Sequence, residues 1–162
     1  MDRRIIIGLA ALALLVACSS GEKSTSQNTE QGMFALQSQP AAPGEARVSL
    51  RALPSAGPIV TVISELNYDP ARLRMKACEL NAAIGDGNNG KSLHVAEPSP
   101  GVLRAVVAGT LDALPQTGDV FTCTFSASGS SGSVTVRAHG EVSDTTFVDR
   151  TFATEATVNV GN

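Results

Sequence analysis

The sequence predicts an all-β fold, an antiparallel β-sandwich, and three observations carry that prediction. From about residue 46 onward apolar and polar residues alternate with a period of two, the spacing at which a half-buried strand shows one face to a core. Clusters of Gly, Pro, Ser and Asp separate these short runs, as in a sandwich built from hairpins and corners. The composition agrees: Val, Thr, Ser, Ala and Gly dominate, and aromatic residues make up only 4%, with one Tyr and no Trp. Nothing in this region sustains a 3.6-residue period; at most Leu111–Leu114 makes one helical turn.

The 162 residues leave room for one domain behind an N-terminal appendage. That appendage opens with Asp2-Arg3-Arg4 and continues as an apolar run from Ile5 to Ala17. A charged start and a short apolar core read as a signal peptide over residues 1–17, the run being short for a spanning helix. Leu15-Val16-Ala17-Cys18 resembles the lipobox of bacterial lipoproteins. The resemblance implies cleavage before Cys18 and acyl chains on its sulfur and amine; the alternative is an ordinary secretory signal with an incidental Cys. Several acyl chains hold a protein on its membrane, because each buried methylene contributes about 0.8 kcal/mol. Ser19 stands where an aspartate would resemble an inner-membrane retention signal, so a lipid anchor in the outer membrane is the expected address. Residues 18–45, rich in Ser, Gln, Pro and Gly, read as the lipidated Cys and a disordered tether, spanning roughly 30 Å as a flexible coil. Met33-Phe34-Ala35-Leu36 is its one apolar cluster and reads as inert.

The domain is expected over residues 46–162. Val48 and Leu50 alternate with Arg47, Ser49 and Arg51. Val60, Val62, Leu66 and Tyr68 form the next inward set, with Ser64 as a gap, and Leu73, Met75 and Ala77 follow. Val102–Ala108 is apolar on both faces, which suits a central strand. Phe121, Cys123, Phe125 and Ala127 alternate with Thr122, Thr124 and Ser126; Val134, Val136 and Ala138 alternate with Thr135, Arg137 and His139. Phe152, Ala156, Val158 and Val160 close the chain, with Thr154 as a gap.

Between Leu66 and Leu73 the chain must turn, and Tyr68-Asp69-Pro70 supplies the means. Pro70 has no N–H and biases Asp69 away from helical geometry, while the Asp69 carboxylate can accept from amides just ahead. This structural corner resembles the Tyr-Asp-Pro corner of bacterial cohesin-like domains, relatives of the carbohydrate-binding jelly rolls. Later landmarks follow in that family's order: Pro100-Gly101-Val102-Leu103-Arg104, then Gly118-Asp119-Val120 and the alternation Phe121–Phe125. The resemblance covers about residues 46–160 and implies a jelly roll of about nine strands. The sequence departs from the family's setting in having no dockerin-like calcium segment.

With Cys18 lipidated, Cys78 and Cys123 make an even pair in an exported chain, which favours one disulfide over two separate buried thiols. Catalytic chemistry is not indicated. His94 and His139 stand alone on their strands, no Gly-x-Ser-x-Gly elbow occurs, and Asp112, Asp119, Glu141, Asp144 and Asp149 read as turn or edge carboxylates. Asp86, Asn88, Ser92 and Glu97 approach the spacing of a calcium loop, but Gly90 and Lys91 occupy positions that need a ligand and a glycine, so neither a metal nor any other cofactor is expected. The formal charge of −3 and scattered basic residues exclude a nucleic-acid surface. A glycan platform needs exposed rings, and only Phe147 is a candidate. The expected function is a non-enzymatic, lipid-anchored envelope protein that binds a protein partner. The cohesin resemblance implies a dockerin-type partner and a polysaccharide-degrading setting; the alternative is a carbohydrate-binding module of the same fold. Candidate outward positions are Arg47, Ser49, Thr135, Arg137, Glu155, Thr157 and Asn159.

Overall fold

The computed structural model describes residues 32–85 and 90–160. The signal peptide, Cys18, Asp86 and Asn88 lie outside the described residues. Nine strands form two antiparallel sheets, in agreement with the expected jelly-roll sandwich. They are β1 (Phe34–Gln39), β2 (Glu45–Ala52), β3 (Ile59–Asn67), β4 (Leu73–Leu80), β5 (Lys91–Ser99), β6 (Val102–Gly109), β7 (Gly118–Ala127), β8 (Gly132–Asp144) and β9 (Asp149–Val160). One sheet has the order β1-β2-β7-β4 and the other β5-β6-β3-β8-β9. Short helical turns occur at Pro54–Ala56 and Ala82–Gly85, whereas Leu111–Leu114 bends at Leu111 and Asp112 and does not form the helical turn expected.

The period-two pattern places the core correctly along most of the chain. Val48, Leu50, Val62, Leu66, Leu103, Ala105, Val107, Phe121, Cys123, Phe125, Val136 and Val158 are all buried between the sheets. β6 is an interior strand, as its two apolar faces suggested: Leu103, Ala105 and Val107 enter the core, while Val102 and Val106 are only half-buried on the outer side.

The N-terminal boundary of the domain and the phase of β4 both depart from expectation. The tether does not extend to residue 45. Phe34–Gln39 pairs with β2 from Phe34 opposite Ala52 to Gln39 opposite Arg47, and Pro40–Gly44 is the hairpin loop that joins them. Met33, Phe34 and Leu36 are core residues, with the Phe34 ring 4.7 Å from that of Phe152. The Leu36 N–H donates to Thr154 Oγ1 at 3.1 Å, so the polar gap in β9 serves to close the flank of the sandwich. The folded domain therefore includes the residues from Gly32 onward.

The other departure is in β4. Met75 lies opposite Phe125 and Ala77 opposite Thr124, so Lys76 is an extra residue, a β-bulge. A bulge reverses the alternation beyond it. Ala77, expected inward, is exposed, and Cys78 and Leu80 turn towards the core in its place. Cys78 thereby faces Cys123 across the β4–β7 ladder, and the two form a disulfide with Cα atoms 4.0 Å apart.

The corner carries the chain from one sheet to the other. Asp69 Oδ1 accepts from the Ala71 N–H at 2.9 Å, and the Asp69 carbonyl accepts from Leu73. Tyr68 is buried, its ring 4.9 Å from that of Phe125 in an edge-on arrangement, and its hydroxyl donates to Glu97 Oε1 at 2.6 Å. Its N–H donates to the Gly101 carbonyl. Gly101 has φ +83°, and a Cβ there would meet the Tyr68 oxygen at 2.6 Å, so this turn requires glycine.

Candidate functional site

The outer face of the five-stranded sheet follows from the same alternation that fills the core. On β3, Val62, Ser64 and Leu66 point inward, which leaves Ile63, Glu65 and Asn67 on the outside. The register then fixes their neighbours. Ile63 lies between Val106 and Glu141, Glu65 between Arg104 and His139, and Asn67 between Val102 and Arg137. His94 on β5 stands beside Val106, and Glu155 on β9 beside Arg137.

These residues form an apolar line within a polar frame. Ile63 is 40% exposed, with half-buried Val106 alongside. Around it, Glu65 reaches Arg104 at 3.7 Å and His139 Nε2 at 3.5 Å, while Asn67 Nδ2 lies 3.4 Å from His139 Nδ1. Arg137 Nε bonds Glu155 at 3.2 Å. Each exposed pair contributes only about 0–1 kcal/mol, so the frame adds little to the stability of the fold. A depression of about 390 Å³ lies among Ile63, Glu65, Arg104, His139 and Phe152. A larger hollow, about 600 Å³, lies at one end of the sandwich against Ala41–Ala46 and Ser131–Ser133, lined mainly by small residues.

Of the outward positions expected from sequence, Thr135, Arg137, Glu155, Thr157 and Asn159 are exposed on this sheet. Arg47 and Ser49 belong to the other sheet, and Ser49 is corrected: it is fully covered and shares a 2.7 Å hydrogen bond with Thr122 on β7. Ile63, Glu65 and Arg104 were not singled out from sequence. The available signal was an apolar residue in the solvent phase of a strand, repeated at Val102 and Val106.

His94 Nε2 meets Ser92 Oγ at 3.0 Å on an exposed edge strand. Among the described residues no group of three or more His, Cys, Asp or Glu could hold a metal ion. Glu97, the last residue of the tested calcium spacing, is taken by Tyr68. Lys91 is buried where that loop would close, its Nζ donating to the carbonyls of Val60 (2.8 Å) and Thr110. Burial lowers its pKa, which nearby Asp112 partly offsets.

No family model and no curated protein matches the chain. Solved structures do. A cohesin module from a family 33 glycoside hydrolase of Clostridium perfringens is similar with a TM-score of 0.63 at 11% identity, over 80% of this chain and 97% of that one. A non-cellulosomal cohesin from the archaeon Archaeoglobus fulgidus gives 0.64 at 14% identity, over 80% and 91%. The sixth cohesin of scaffoldin B from Acetivibrio cellulolyticus, solved in complex with a Cel5 dockerin, gives 0.58 at 14% identity, over 75% and 95%. At such identities the likeness is one of fold, and the described residues form a cohesin-like β-sandwich.

Proposed function

We propose that this domain is a non-catalytic protein-binding module that receives a dockerin-like partner on the outer face of its five-stranded sheet, and that Cys18 anchors it by lipid to the outer membrane. The observation that carries the binding reading is Ile63 exposed beside Val106 and framed by Glu65, Arg104 and His139. Apolar centre and polar rim are the anatomy of a protein interface. Several similar cohesins were solved in complex with dockerins, which supports the same reading. A carbohydrate module is the less favoured alternative, because Phe147, the one exposed aromatic side chain among the described residues, lies in the β8–β9 turn, away from the sheet face.

The test is retention of envelope proteins and soluble polysaccharides on the immobilised mature chain, with Ile63→Asp beside it. One protein retained saturably and lost roughly tenfold or more on the variant is the expected result, since a central apolar contact commonly contributes 2 kcal/mol or more. Retention of glycan alone, or of a protein indifferent to Ile63→Asp, would refute the reading. Radiolabelled fatty acid on the wild type but not on Cys18→Ser, in the outer-membrane fraction, is the result expected for the anchor.

A further inference from the structure

Among the described residues, the exposed large apolar side chains are Ile63, Leu111, Phe147 and Val148. Ile63 belongs to the sheet face; the other three, 66%, 70% and 53% exposed, lie in two loops at one end of the sandwich. The hydrogen bonds show this. The Pro58 carbonyl accepts from Thr145, and the Ile59 carbonyl accepts from Leu114 at 2.7 Å, so the loops bearing Phe147-Val148 and Leu111 flank the start of β3.

The β8–β9 turn is built to present its apolar tip. Asp144 Oδ1 accepts from the Thr146 N–H at 2.8 Å, the Thr146 hydroxyl at 2.6 Å and the Val148 N–H at 3.1 Å. Those bonds, the Thr146 hydroxyl foremost, hold the Asp144 carboxyl below its ordinary pKa, so the clamp is ionised at neutral pH. Within the clamp Phe147 takes φ +60°, a left-handed conformation that Gly or Asn adopts readily and a bulky side chain only at a cost. A ring kept at that cost in a solvent-facing turn has no packing reason to be there.

The N-terminal segment arrives at the same end. Met33 accepts from the Leu53 N–H at 3.0 Å, and the Ser55 hydroxyl bonds the Gly32 carbonyl, just before Pro58 and Ile59. Between Cys18 and Gly32 the sequence is polar, and a coil of that length spans roughly 20 Å. Among the described residues, acidic and basic side chains are mixed at the strand ends here, Asp112, Asp119, Asp144 and Asp149 standing with Arg51, Lys91 and Arg150.

We propose that this end of the domain docks on a zwitterionic bilayer surface, with Phe147, Val148 and Leu111 entering the headgroup region. The inference rests on the anchor reading for what brings membrane near, and on the structure for what touches it. An anchored module docked in this way stands upright, with the strands along the membrane normal.

The chain contains no Trp, so Phe147→Trp installs a single indole, which is excited selectively over Tyr68 at the red edge of the absorption. The mature chain is attached to phosphatidylethanolamine–phosphatidylcholine vesicles in two ways: through acylated Cys18, and through an N-terminal histidine tag on a chelating lipid. Blue-shifted emission, quenched by brominated acyl chains in both forms, is expected, with Ala42→Trp at the far hairpin unshifted and unquenched. Adding Asp144→Ala, which frees the turn, or Leu111→Ser together with Val148→Ser, is expected to reduce the docked fraction roughly tenfold. An indole that stays water-exposed while the chain is held by either tether overturns the docking proposal. Absence of acylation at Cys18 would overturn only the anchor, because the chelating tether still decides the docking.

Discussion

Reducing the Cys78–Cys123 bridge is expected to remove a large part of the domain's stability. The cysteines are 45 residues apart in sequence, and the chain-entropy relation for a loop of that size gives about 4 kcal/mol at 25 °C. Single domains of this size are stable by about 5–15 kcal/mol, so the reduced form would be marginal. The bridge also lies directly after the Lys76 bulge, on a strand at the edge of its sheet, where it pins the reversed alternation that turns Leu80 inward. Urea denaturation of the oxidised protein and of the Cys78→Ala/Cys123→Ala double variant is the assay, the alanines leaving no free thiols. With a slope of about 1.5 kcal/mol/M, the midpoint should fall by roughly 2–3 M. A fall below about 0.5 M would refute the reasoning, because it would mean that the unfolded chain gains little freedom or that the bridge strains the fold by nearly as much as it stabilises it.

Two further outcomes follow from close contacts. Gly140→Ala would place a Cβ 1.9 Å from the Ile63 carbonyl oxygen, so β8 must move away from β3; a loss of about 3 kcal/mol or more is expected in the same denaturation assay. Tyr68 is the chain's one tyrosine, and its pKa is raised, first by burial and then by Glu97. A raised folded-state pKa means that its contribution is fully present below the unfolded value near 10 and is lost as pH rises beyond it, so stability should decline above about pH 10. Lys91, whose pKa is lowered, acts in the opposite sense, so the comparison to make is wild type against Tyr68→Phe, in which the Tyr68-dependent decline should be absent. Phenolate absorbance in the wild type reports that single group directly.

What the sequence made legible depended on whether local alternation survived to the folded state. It did along most of β2, β3 and β6 to β9, Ser49 on β2 being covered although it stands in the outward phase, and the corner at Tyr68-Asp69-Pro70 was readable because Pro and Asp act on their own backbone. It failed at β4, because a bulge is fixed by the partner strand, here by how β7 places Cys123. β1 was hidden because Phe34 and Leu36 sit among Gln, Ser and Pro, and their burial depends on Phe152 and Thr154 far along the chain. The candidate face was half-visible. Arg137 and Glu155 were placed outward from their own strands, but the grouping of Glu65 with Arg104 and His139 needs the order β6-β3-β8, which no single strand encodes.

The docking of β1 also bears on how the domain would carry a load. Tension arriving through the residues before Gly32 pulls on β1 at its first residue, and β1 runs away from that end of the sandwich. The pull is therefore directed lengthwise along the ladder from Phe34–Ala52 to Gln39–Arg47, and the rungs resist together in shear instead of opening one after another. The Leu36–Thr154 bond and the Phe34–Phe152 ring contact add resistance from the second sheet. A module held from its N-terminal side while its sheet face grips something large would thus meet force along its mechanically stiff direction.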